Sequence, residues 1–194
     1  MDELKTKLVK RMLHSINRII KFLSLALVLL IISGISFVNI LGQNKELFIP
    51  VLGATLNSWD SKSYWHTPWG KSKVHKGIDI FAPHKTEILS PINGFILSAG
   101  YSENGGNYLY ILGPKLRTYY FAHLNIQEKH SYSFIKKGQR IGAVGNSGNA
   151  ISSPYHLHFS IFSFFPIIKY YTRKEPQGWM KMFYLDPVKS LITS

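Results

Sequence analysis

No cysteine occurs anywhere in the 194 residues, which excludes disulfides, thiolate metal sites and cysteine nucleophiles together. Acidic side chains are scarce: 10 Asp and Glu stand against 23 Lys and Arg, a formal net charge of +13. Such an excess favours an acidic partner, whether nucleic acid, a membrane surface or a cell-wall polymer. Beyond Gln43 there is no long 3.6-residue periodicity, no internal repeat and no low-complexity tract. Gly145, Asn146 and Gly148 lack a following Gly-Lys-Ser/Thr, so they read as a turn and not as a phosphate loop.

One long apolar run is present. Phe22 to Leu41 is twenty residues without a charge, preceded by Lys5, Lys7, Lys10, Arg11, Arg18 and Lys21 against Asp2 and Glu3. At about 1.5 Å per residue it spans roughly 30 Å, the thickness of a bilayer's hydrocarbon core. A signal peptide would have a shorter apolar region and a small-x-small cleavage site, and Phe37 to Gly42 contains no such pattern. The expectation is an uncleaved single-pass anchor at 22–41 with a cytoplasmic basic tail at 1–21. The positive-inside rule then puts the rest outside the cytoplasm, on the periplasmic or cell-wall side of the membrane. That orientation argues against nucleic acid as the partner.

After the anchor, short apolar runs alternate with Gly, Pro, Asn and Ser. Strands are expected at Glu87–Leu89, Gly94–Ala99, Tyr108–Leu112, Thr118–His123, Arg140–Val144 and His156–Phe162. Tyr108 to His123 reads as a hairpin turning near Gly113-Pro114-Lys115-Leu116. The expected fold is mostly β, a single antiparallel sheet or sandwich-like domain behind the N-terminal transmembrane helix. Residues 43–74 form an irregular lead-in, 75–165 the core and 166–194 a C-terminal extension packing on it.

Chemistry-bearing residues fall in three places. In His75-Lys76-Gly77-Ile78-Asp79, the glycine, the β-branched residues and nearby Pro83 favour an extended chain, which puts His75, Gly77 and Asp79 on one face. A glycine between two potential ligands leaves room for an ion or substrate against the backbone. In His156-Leu157-His158-Phe159 two imidazoles share one strand face while Leu157 and Phe159 take the other. The third is His123, ending Thr118-Tyr119-Tyr120-Phe121-Ala122. Alone, a His-x-His or a single histidine is more often structural. Together, His75, Asp79, His123, His156 and His158 supply enough N and O donors for a catalytic zinc, which takes three protein ligands, with two groups left for proton transfer or oxyanion stabilisation.

At these positions the sequence resembles the LytM/lysostaphin-type peptidoglycan metalloendopeptidases. The resemblance runs from Trp59 to Phe162. It takes in Ser90-Pro91-Ile92-Asn93-Gly94, Tyr120-Phe121-Ala122-His123-Leu124 and the segment from Lys137 to Gly148. It implies one zinc ion per chain held by His75, Asp79 and His158, with His123 and His156 as the two non-ligand catalytic histidines. Which of those two is the general base stays open. The implied activity is zinc-dependent hydrolysis of peptidoglycan stem peptides or cross-links by metal-activated water, with 75–165 as the zinc metallopeptidase core. The alternative is a non-catalytic wall-binding or hydrolase-activating module that retains zinc. Many members have Glu after His-x-His-Phe where this chain has Ser160, and the loop Ile151 to Tyr155 is not simply Gly-rich. Both departures bear on the substrate groove and leave the ligands intact. Trp59, Trp65, Trp69, Tyr101 and Tyr155 are groove candidates or packing aromatics. His66, His84 and His130 are expected at the surface.

Overall fold

The computed structural model describes residues 2–42 and 47–192, in two compact units that divide after Ile40. The first is a single helix, α1 (Asp2–Gly42). It continues through both the basic tail and the apolar run, and Lys10–Gly34 is long and apolar enough to cross a membrane. Its described large apolar side chains, from Met12 to Ile32, are all exposed. A helix that is apolar all round and exposed suits lipid better than water.

The second unit is a nine-stranded antiparallel sheet. Its strands are β1 (Ile78–Phe81), β2 (Glu87–Leu89), β3 (Gly94–Ser102), β4 (Gly106–Gly113), β5 (Arg117–Gln127), β6 (Phe134–Ile135), β7 (Arg140–Val144), β8 (His156–Ser163) and β9 (Tyr184–Leu185). A short helix, α2 (Pro187–Ile192), follows. The main path runs β1-β8-β5-β4-β3-β6, with β7 joining β5 to β2 and β9 flanking β8. Each expected strand is present, and Glu87–Leu89 and Arg140–Val144 have the expected bounds. The β4–β5 hairpin turns at Pro114–Leu116, where Lys115 and Leu116 adopt φ of 58° and 52°. In the lead-in, Gln43 to Glu46 lie outside the described residues, and 47–74 contains one 3₁₀ turn, Leu56–Ser58, and no strand.

Alternation builds the core from one side of the sheet. Ile78 and Ile80 of β1, Tyr119 and Phe121 of β5, and Leu157, Phe159 and Ile161 of β8 pack together, fully or almost fully buried. Val188 and Leu191 of α2 and Leu185 of β9 join the same cluster. By the same parity the other side carries Asp79, Thr118, Tyr120, Ala122, His156 and His158.

The central strand β5 has two neighbours along one edge. Arg117 to Ala122 pair with β8, whereas Leu124 to Gln127 pair with β7. On the opposite edge, β4 steps from Asn107 to Leu109 while β5 steps from Leu124 to Phe121, so β5 holds one extra residue there. This is a β-bulge, and His123, at φ 61°, occupies it. Bulges re-aim side chains and break pairing, and here both happen where β7 and β8 part.

Candidate metal centre

Cross-strand register assembles the site. Asp79 of β1 lies opposite His158 of β8, Phe81 opposite His156, and Ala122 of β5 opposite His158. His75 sits just before β1 and is almost completely buried. All five residues singled out from the sequence come together. His75 Nε2 is 3.1 Å from Asp79 Oδ1 and 3.0 Å from His158 Nδ1, and His158 Nδ1 is 2.9 Å from Asp79 Oδ1. The His123 ring centre is 5.0 Å from that of His156 and 6.0 Å from that of His158. His156 Nε2 is 3.9 Å from Asp79 Oδ1, outside the tight triangle.

Three lone-pair-bearing atoms so close repel one another unless a proton or a cation lies among them. Ligand atoms of a tetrahedral zinc with bonds of about 2.0–2.1 Å lie about 3.3 Å apart, so the triangle needs to open by only a few tenths of an ångström. The residues present therefore fit a metal ion, and the tautomers agree. A carbonyl oxygen can only accept, so His75 Nδ1 carries the hydrogen it donates to the Ser63 carbonyl at 3.0 Å, leaving Nε2 as the lone pair in the triangle. His123 Nδ1 donates to the Ser147 carbonyl at 2.9 Å and His156 Nδ1 to the Pro154 carbonyl at 2.8 Å, so both present Nε2 lone pairs beside the triangle.

Electrostatics follow from burial. It would raise the Asp79 carboxyl, but hydrogen-bonding contact with His158 and His75 outweighs it and holds the group well below the usual carboxylate range. Burial draws His123 down to about 4 against the opposing bond to Ser147, and it lowers His158 as well despite Asp79. His123 is therefore neutral at pH 7.

Gly77 does something other than the sequence suggests. A Cβ there would lie 2.4 Å from the Phe159 carbonyl oxygen, 2.9 Å from Ser160 Cβ and 3.0 Å from His158 Cε1. The space it leaves is filled by β8, not by a ligand. Gly77 lets the chain leading from His75 press against the strand that carries His158.

The centre opens into a cavity of about 740 Å³. Trp69 lines it and stacks on His75 with ring centres 4.1 Å apart, whereas Trp59 and Trp65 are buried. Tyr101 and Tyr155 are exposed outside the cavity lining, Tyr155 stacking on His84. His66, His84 and His130 are exposed, as expected. Ser160 lines the cavity. Sequence reasoning overlooked Tyr110 and Tyr120, which stack at 4.3 Å in the cavity wall, and Lys76. The signal for Tyr120 was its parity with Ala122, opposite to core-facing Phe121.

Comparison with known proteins bears on the same stretch. Residues 73–166 match Peptidase family M23. The chain is 32% identical over 94 residues to Peptidoglycan DD-endopeptidase ShyC of Vibrio cholerae, covering 48% of this chain and 21% of that protein. It is 33% identical over 101 residues to L-Ala--D-Glu endopeptidase of Bacillus subtilis, covering 48% of this chain and 31% of that one. The matched region is thus a third or less of either relative. Among solved structures, the catalytic domain of the antimicrobial peptidase lysostaphin from Staphylococcus simulans superposes with a TM-score of 0.54 at 26% identity, covering 70% of this chain and 96% of that domain. The triangle built across β1 and β8 lies within the matched residues, which make 73–166 a peptidase family M23 domain of the LytM/lysostaphin type.

Proposed function

We propose that this chain is a zinc-dependent endopeptidase that hydrolyses stem or cross-link peptides of peptidoglycan outside the cytoplasmic membrane, to which α1 anchors it. The observation that carries the reading is the triangle of His75, Asp79 and His158 with two tautomer-fixed histidines beside it. A structural zinc site closes with four protein ligands, whereas a catalytic one has three and an open position. Three donor atoms cluster here among the described residues, which supports hydrolysis over a wall-binding module that merely retains metal.

His75, Asp79 and His158 would hold the ion. When bound, it supplies Lewis-acid polarisation of the scissile carbonyl and a nucleophile available at neutral pH. His123 and His156 move protons at Nε2. Each is held as the Nδ1–H tautomer by a backbone carbonyl, so each can accept the nucleophile's proton, and as an imidazolium can stabilise the oxyanion and return the proton to the leaving amine. Burial keeps His123 neutral before the proton arrives. Trp69, stacked on His75, excludes water from one side of the ligand. The basic character of the exported part, +9 once the +4 of residues 1–21 is set aside from +13, suits an anionic wall.

The test is the full chain in detergent incubated with purified sacculi, with released muropeptides read by mass spectrometry. Zinc-loaded protein should release them at one ion per chain, and chelated protein or His158→Ala should not. Release unaffected by His158→Ala, or none from zinc-loaded wild type, sinks the proposal.

A further inference from the structure

Moving along β8 away from the metal centre, Ser160 and Phe162 follow His158 on the same side of the sheet. Register places Thr118 of β5 and Tyr184 of β9 on either side of Phe162. All three line the same cavity as the histidines. Lys76 lines it too, half-buried, with its Nζ 6.0 Å from the centre of the Tyr184 ring. Lys71 stands exposed at the rim.

Among the described residues, Lys76 meets the Tyr184 ring but no carboxylate, and the Thr118 hydroxyl has no hydrogen-bond partner. The ion pairs of lysine and arginine among the described residues join Arg140 to Glu87 and Glu128, Lys181 to Glu175, and Lys189 to Asp186, and none includes Lys76. Among the described residues the only carboxylate in the cavity lining is Asp79, which the triangle occupies. In the floor, the Thr118 hydroxyl is buried and, among the described residues, has no hydrogen-bond partner. A half-buried cation and an unsatisfied hydroxyl lining one cavity are the complement of an anion that is also a hydrogen-bond acceptor.

The end is also firmly built. Trp65 Nε1 donates to the Pro176 carbonyl, Gln177 Nε2 to the Ser72 carbonyl and Tyr64 Oη to the Tyr184 carbonyl. These bonds join the loop before His75 to the segment leading into β9. Trp69, Lys71 and Tyr184 lie outside residues 73–166, so the flanks of the family-matched region shape this end.

We propose that Lys76, with Thr118 across Phe162 from it and Lys71 at the rim, forms a subsite for a carboxylate of the substrate, so that the enzyme prefers acidic peptides over uncharged ones such as glycine bridges. The inference rests on the peptidase reading above. Phe162 is four residues from His158, about 13 Å at the rise of a strand, so the carboxylate lies within roughly four extended residues of the scissile bond.

The experiment compares two cross-linked muropeptides that differ only in whether carboxyl groups near the scissile bond are free or amidated, using the full zinc-loaded chain in non-ionic detergent. The expected preference for the free carboxylate is about tenfold in kcat/KM, carried mainly by KM. Lys76→Gln should bring the ratio towards parity and Lys76→Arg should restore it. Parity in wild type, or a preference that survives Lys76→Gln, overturns the subsite. Calorimetry of the same two peptides with the metal-free chain gives an independent reading. If wild type cleaves neither peptide but binds the free carboxylate more tightly in a Lys76-dependent way, the peptidase reading fails and the subsite stands; equal binding of both, or none, overturns it as well.

Discussion

Replacing His123 by glycine and by alanine separates what its side chain does from what its backbone costs. Both variants lose the imidazole and its bond to the Ser147 carbonyl, so both should lose activity on sacculi. Their stabilities should differ in an unusual direction. Within a strand glycine is ordinarily about 0.5–1 kcal/mol worse than alanine. At φ 61° the Cβ of alanine meets the following carbonyl, a cost of about 1–2 kcal/mol that glycine escapes. The net expectation is that His123→Gly is more stable than His123→Ala by about 0.5–1 kcal/mol, or roughly 1–4 °C in Tm for a domain of this size. All four tryptophans, at 59, 65, 69 and 179, lie in the β-rich unit, so fluorescence-detected unfolding of the full chain in detergent with chelator reports on that unit alone. An alanine variant as stable as the glycine variant, or more so, would refute the argument that the bulge strains the backbone to aim this ring.

Two further outcomes follow. Gly77→Ala must push β8 away by its backbone, because the nearest atom to the new Cβ is the Phe159 carbonyl oxygen; we expect a loss of about 1–3 kcal/mol in urea unfolding and weaker zinc uptake in a competition titration. Without metal, stability should fall as pH drops from 6.5 towards 4. The folded chain holds His123 at about 4 against an ordinary 6.5, so in that window the unfolded chain binds more protons and is favoured, while above 6.5 the full stability is present. His123→Gln should flatten part of this slope in urea midpoints measured across the range, with His158 contributing the remainder in the same direction.

Much of the site was legible because β-strands alternate. The period of two put His156 and His158 on one side and Leu157 and Phe159 in the core, and it related His75 to Asp79. Register then did what spacing alone does not state, setting Asp79 opposite His158. His123 is where alternation misleads: with Phe121 facing the core, a regular strand would turn residue 123 inward too. Only the bulge turns it to the site, and a bulge depends on pairing with β4, which is remote in sequence. The two-residue strands β6 and β9 carry too little pattern to be seen, since neighbouring strands impose their conformation. Lys76 was overlooked, and Trp69 was not told apart from buried Trp59 and Trp65, for a related reason. Their place in the cavity depends on the segment around residues 176–184, more than a hundred positions away.

Each of three histidines at this centre hands its Nδ1 hydrogen to a main-chain oxygen, of Ser63, Ser147 or Pro154. The orientation of the reactive nitrogens is therefore written in the path of the chain and not in the alphabet of its side chains. Exchanging the serine at 63 leaves its acceptor oxygen in place, whereas the Ser147 hydroxyl also accepts from Asn107 N–H and donates to the Leu124 carbonyl, so it helps to hold the loop whose carbonyl His123 reads. No side-chain acceptor exists for a point mutation to remove. Altering the tautomers requires moving a loop.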